Sequence, residues 1–200
     1  FGGFMQWGFT GEFFDSFDAN DSRANVSAMR EYTHYLTGEN IVWNQPDTYT
    51  QPRNFDPIVY DESTGLGTSK FRANADNFIL RNETDLILIR YADVLLMLAE
   101  AYVGTGNSAA ALPYINQVRQ RAGIAPLASV TLDDIKQERL WELSGEFQEY
   151  PDLQRWGDLE QAVLDGPQSS QTGYNPRNEL WPIHIDILNG NKNLTQNPGW

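Results

Sequence analysis

The chain has 200 residues, of which 40% are hydrophobic and 12% aromatic, enough to bury a core and to exclude a disordered chain. Its 14 Lys plus Arg stand against 27 Asp plus Glu, and the net charge of -13 opposes a phosphate backbone, so nucleic acid is excluded as a partner. With no cysteine, disulfides, thiolate metal sites and cysteine nucleophiles are excluded as well.

Residues 1–84 are rich in Gly, Asn, Asp, Thr and aromatics with little sustained period, which predicts long aromatic, Gly/Asn-rich loops. Phe1 is not followed by a charged and then apolar leader, so any targeting segment is expected upstream. A helix is expected over Ala19–Leu36, capped by Asp21 or Ser22, with Val26, Met29, Arg30 and Thr33 at helical spacing. Asp15, Asp18, Asn20 and Asp21 are dense in oxygen ligands. A calcium hand would need a bidentate Glu where Met29 stands, so turn and capping chemistry is expected there and no metal is assigned.

Residues 85–165 lengthen the apolar period to about 3.6 and form the expected helical body. From Leu86 to Val103 the pattern is apolar nearly all round apart from Arg90, Asp93, Met97 and Glu100, which predicts a helix buried between neighbours and ended by Gly104 and Gly106. Ser108 is the expected cap of the next helix, which carries Leu112, Ile115, Val118 and Ala122 on one face, has Pro113 near its first turn and stops at Gly123. The pair reads as a tetratricopeptide-like hairpin whose small residues Ala99, Ala101, Ala110 and Ala111 allow close approach. Thr131 to Asp134 has the T-x-x-D form of a helix start, with the helix running to about Phe147. Pro151 then opens a fourth, with Leu153, Trp156, Leu159 or Glu160, and Val163 on its apolar face. Loop texture returns over 166–200.

Catalytic patterns fare poorly. Gly104 to Ala109 matches G-x-G-x-x-A, but a helix rather than a strand precedes it. There is no G-x-S-x-G elbow, and His34 and His184 have no recognisable partners. Glu138, Arg139, Glu142, Glu146 and Glu149 fall at helical spacings and are read as a solvated or ion-paired face. No catalytic residue and no cofactor is assigned. Trp141 and Trp156 are read as core. Ligand binding is assigned to aromatic platforms in the loops, Trp7 with Phe4 and Gln6, and Trp43 and Tyr49 with Asn44. An aromatic plate packs on the C–H face of a sugar ring, and neighbouring amides satisfy its hydroxyls.

Several segments in order resemble the SusD/RagB family. Arg90 to Ala101 reads R-Y-A-D-V-L-L-M-L-A-E-A and Ile115 to Gly123 reads I-N-Q-V-R-Q-R-A-G. Glu138-Arg139 with Glu142-Leu143, and Asp152 to Gly157, are similar to the family's E-R-x-x-E-L and D-L-x-R-W-G elements. Leu180 to Ile183 with Leu194 to Trp200 looks like its closing L-W-P-I and L-x-Q-N-P-G-[YW] signature, and Phe14 to Arg23 like its F-x-x-x-D-x-R region. Two departures stand out: E-G-x-R reads Glu146 to Glu149 here, and His184 replaces a common Pro. The resemblance implies a mainly α, SusD-like fold, here its C-terminal portion, with 1–84 as the ligand-side region, 85–165 as the helical body and 166–200 as the closing loop and tail. It implies a surface-exposed outer-membrane lipoprotein of a Bacteroidetes-type cell, anchored through an N-terminal segment absent here. Such a protein binds oligosaccharide or polysaccharide without catalysis and delivers it to a SusC-like TonB-dependent transporter. The family's ligand contacts lie in variable loops, so no ligand residue transfers by motif. The alternative is a tetratricopeptide-like protein-interaction scaffold without sugar affinity; a glycosidase is a third reading.

Overall fold

The computed structural model describes residues 11–27, 31–33, 38, 40–42, 87–165 and 175–200. These fall into two compact units, Phe1–Glu149 and Tyr150–Trp200.

In the first unit, two short helices, α1 (Gly11–Asp15) and α2 (Ala24–Ser27), precede strands β1 (Glu31–Thr33) and β2 (Asn40–Val42). The strands pair antiparallel with Tyr32 opposite Ile41. The single helix expected over Ala19–Leu36 is therefore not formed. Asp21 Oδ1 accepts from its own neighbour Arg23 N at 2.9 Å, which sets a turn where a helix would have to run, and Glu31–Thr33 pairs in the ladder instead.

Three longer helices follow: α3 (Tyr91–Gly104), α4 (Ser108–Ala122) and α5 (Leu132–Leu143). Three residues link α3 to α4, so the two must fold back as a hairpin. Leu95, Leu96 and Ala99 of α3 meet Ala111, Ile115 and Val118 of α4, with Val130 and Ile135 closing the cluster from the α5 side. Ala99 and Ala111, both fully buried, are the small residues that let the pair approach. Gly123 ends α4 in the left-handed conformation, φ 83°, and Thr131 starts α5 with a capping box completed by Asp134. Asn116 pins the intervening loop: its Nδ2 donates to Leu127 O at 3.0 Å, and Leu127 N donates to its Oδ1 at 2.8 Å.

Several boundaries differ from the sequence expectation. Residues 87–90 are not helical, and Tyr91, Val94, Met97 and Leu98 remain exposed, so α3 is covered by α4 and α5 on one side only and is not buried all round. The N-cap of α4 is Asn107, not Ser108, and Pro113 lies in the second turn, where it removes the bond to Ala109 O. Helix α5 stops at Leu143 because Ser144 leaves the helical backbone with ψ 133°, and Gly145 and Phe147 beyond it take positive φ, 76° and 63°.

In the second unit the expected fourth helix is two, α6 (Glu149–Trp156) and α7 (Leu159–Asp165), parted at Gly157 with φ 77°. Leu159 is buried, whereas Trp156 is half-buried, as is Trp141 in the first unit, so neither indole is a core residue. The tail is not loop throughout, since Pro176–Glu179 is a 3-10 helix and Ile185–Gly190 an α-helix, α8. His184 caps α8, its Nδ1 accepting from Asp186 N at 3.3 Å.

Candidate functional site

Helix α5 places Glu138 and Glu142 one turn apart and both are buried, Glu138 at 0% exposure. A buried carboxylate must be paired, and four arginines from three parts of the chain converge on these two. Arg23 Nη1 donates to Glu138 Oε1 at 2.7 Å and to Glu142 Oε2 at 2.9 Å, while its Nε and Nη2 clasp Asp21. Arg119 Nη1 donates to Glu138 Oε2 at 2.9 Å, and Arg121 Nη2 to Glu142 Oε2 at 2.5 Å. Arg90 donates to Glu142 Oε1 and O through its two Nη atoms, both at 2.5 Å, and from Nε to Glu146 Oε2 at 2.6 Å. Alongside, Arg139 Nη1 donates to buried Asp93 at 2.8 Å, tying α5 to α3. The face read as solvated or ion-paired is thus paired and buried at Glu138, Arg139 and Glu142.

Burial by itself would push the Glu142 carboxyl up, but the hydrogen bond and charge of Arg90, the charge of Arg121 and the hydrogen bond of Arg23 overcome it and hold the group below the ordinary carboxylate value. The desolvation that would lower Arg23 is likewise outweighed by Asp21, Glu138 and Glu142, and its pKa is raised. Carboxylates clasped by guanidinium groups on several sides offer a clamp between chain segments. A general acid would need a proton that this environment drives off.

The segment carrying Asp21 and Arg23 lies against α4 and α5. Ser22 N and Oγ both donate to Ala122 O, at 2.9 and 3.0 Å, satisfying a carbonyl that the end of α4 leaves open. Phe17 stacks on Trp141 with centroids 5.8 Å apart, and Trp141 Nε1 donates to Ser16 Oγ at 2.9 Å. Asp18 Oδ1 accepts from Asn20 N at 2.8 Å. Among the described residues no group of three or more His, Cys, Asp or Glu could hold a metal ion.

In the second unit the closing signature is a set of backbone ties. Gln196 Oε1 accepts from Ile183 N and its Nε2 donates to Ile183 O, both at 2.9 Å, and Asn197 Nδ2 donates to Trp181 O at 2.7 Å. Trp200 lies against the Arg177 guanidinium at 4.5 Å and donates from Nε1 to Leu180 O at 2.9 Å. Gly199 takes φ 86°, and a Cβ there would lie 2.7 Å from Arg177 Cβ, so both conformation and space require glycine. Trp181 stands 79% exposed on this frame.

The assigned ligand residues Phe4, Gln6, Trp7, Trp43, Asn44 and Tyr49 lie outside the described residues, as does His34. What the sequence reading missed is the destination of Asp21, Arg23, Arg90, Arg119 and Arg121. The signal was present as charged residues inside the motifs, but Asp21 reads locally as a cap or turn residue and the arginines give no local sign of a distant partner.

A sequence profile described as the SusD family matches residues 10–200. The SusD-like protein P25 of Formosa agariphila is 35% identical over 135 residues, which are 62% of this chain and 25% of that protein. The structure of surface glycan-binding protein A from Bacteroides uniformis superposes with a TM-score of 0.62 at 26% identity, covering 94% of this chain and 40% of that one. A laminarin-binding SusD-like protein gives a TM-score of 0.54 at 31% identity, over 69% of this chain and 30% of that one. The chain thus spans a quarter to two fifths of the length of these relatives.

Proposed function

The chain belongs to the SusD family, and on that premise we propose that it is part of a non-catalytic protein that captures glycans at the cell surface and delivers them to a SusC-like TonB-dependent transporter of the outer membrane. The observation that carries the reading is its likeness to two structures described as glycan-binding and laminarin-binding, at 26% and 31% identity. The strongly negative charge suits a neutral ligand over a phosphorylated one. Trp7, with Phe4 and Gln6, and Trp43 and Tyr49, with Asn44, are the proposed platforms, since indole and phenol rings supply an apolar plate and the amides a polar rim. Lipid anchoring belongs to the same proposal; among the described residues no helix is long and apolar enough to cross a membrane.

Affinity electrophoresis and isothermal titration of this chain against laminarin and a panel of neutral polysaccharides test it. Retardation by at least one polysaccharide is expected, with Trp7→Ala and Trp43→Ala each weakening it about tenfold, the scale of one aromatic contact. If both variants bind unchanged, the platforms are elsewhere. If no polysaccharide retards the chain while soluble proteins are captured, the scaffold reading replaces capture, and release of reducing ends would reveal catalysis.

A further inference from the structure

Residues 13–27 are held to the rest of the first unit by different means from those that hold its helices to one another. The helices and the loop before α5 share eight buried apolar side chains. Among the described residues of the segment, Phe17 is buried, Phe13 and Phe14 are half-buried with Phe13 edge-on to Phe17 at 5.1 Å, and Val26 is exposed. Polar ties join Ser16 with Trp141, Ser22 with Ala122 O, and Arg23 with Glu138 and Glu142.

The ion pairs divide in an informative way. On the segment, Arg23 has its own counter-ion, Asp21, bound through Nε and Nη2. On the helical body, Glu138 keeps Arg119 of α4, and Glu142 keeps Arg121 of α4 and Arg90, which also holds Glu146. The neighbouring Arg139 and Asp93 pair with each other. Parting Arg23 from Glu138 and Glu142 therefore leaves Asp21, Glu138 and Glu142 each with at least one guanidinium partner. The usual penalty for breaking a buried ion pair, an uncompensated charge, is avoided. The two contacts of Arg23 to the helical body form together, because one guanidinium nitrogen, Nη1, makes both.

We propose that residues 13–27 form a latch that opens as one unit from the helical body, with Arg23 as its pin. Opening uncovers Trp141 and Ala122 O. It also frees the root of the β1–β2 hairpin, which begins four residues beyond Ser27. Local opening of this kind is drawn from segments with few apolar contacts. The inference stands on the geometry of the first unit and not on glycan binding.

Hydrogen exchange of the whole 200-residue chain, read amide by amide by NMR, tests it. The Ser22 amide, bonded to Ala122 O, and the Trp141 indole N–H, bonded to Ser16 Oγ, cross from the segment to the helical body and are expected to share one opening constant. That opening should be at least about a hundredfold more frequent than opening of the amides in α3 and α4. In Arg23→Met these two protons should exchange about tenfold or more faster again, with the α3 and α4 amides changed by less than about threefold. A single opening constant for latch and helices in the unaltered chain overturns the proposal, as does a uniform increase in Arg23→Met. Should Arg23→Met fail to fold, Phe17→Ala decides: a rise confined to the latch supports it and a uniform rise overturns it.

Discussion

Arg23 Nη1 donates to Glu142 Oε2 at 2.9 Å across 119 positions of sequence, and Glu142 is at the same time the acceptor for Arg90 and Arg121. Two short motifs far apart in the chain are thus two halves of one buried contact. Removing one partner of such a contact costs more than the contact contributes, because the charge left behind on Arg23 stays buried. Glu142→Ala, which leaves three guanidinium groups facing a void, should lower unfolding stability by about 3–5 kcal/mol in urea titration. A loss below about 1 kcal/mol would mean the arginines find water and the cluster is surface-like.

Acid should weaken the clamp in a defined window. The folded pKa of Glu142 lies below its unfolded value of 4.5, so its contribution is fully present above that pH and is lost as pH falls through the folded value. Stability measured by urea titration between pH 7 and 3 should therefore drop below about pH 4.5, and the drop should be shallower in Glu142→Gln. An unchanged pH slope in that variant would remove Glu142 from the account.

The tail gives a more local test. Gly199→Ala forces a β-carbon against Arg177 and a non-glycine side chain into φ 86°. A cost of at least about 1 kcal/mol is expected for the conformation alone. The Trp200 indole N–H, bonded to Leu180 O and Arg177 O, should exchange faster in NMR, and unchanged exchange would show that Arg177 moves aside without loss.

Asn116→Ala removes both hydrogen bonds to Leu127 and leaves two half-buried backbone groups to find other partners. A loss of about 1–3 kcal/mol in thermal or urea unfolding is expected. Asn116→Asp should recover the part due to Leu127 N alone, because a carboxylate accepts but cannot donate.

Thr131 Oγ1 and Asp134 Oδ2 each accept from the other residue's backbone N–H at the start of α5, and Thr131→Ala should cost about 1 kcal/mol. Circular dichroism during urea titration would register it, and no shift in midpoint would mean water replaces the cap.

The parts of this protein written in local sequence are the helices α3, α4 and α5, the left-handed stop at Gly123 and the cap at Thr131, because periodicity and capping act within a few residues and need no distant partner. The recurrent motifs in order determined the family by the same local means. What only the tertiary structure decided is where the charges go. Asp93 read as part of a polar stripe and Glu138 and Glu142 as a solvated or ion-paired face, and each is buried because an arginine at least 19 positions away neutralises it; pairing at that range leaves no periodic trace. The segment after Ala19 shows the converse. Helical spacing was present there, but the turn that presents Arg23 to α5 and the pairing of Glu31–Thr33 with Asn40–Val42 overrode it, since tertiary contacts outweigh the small free energy of local propensity.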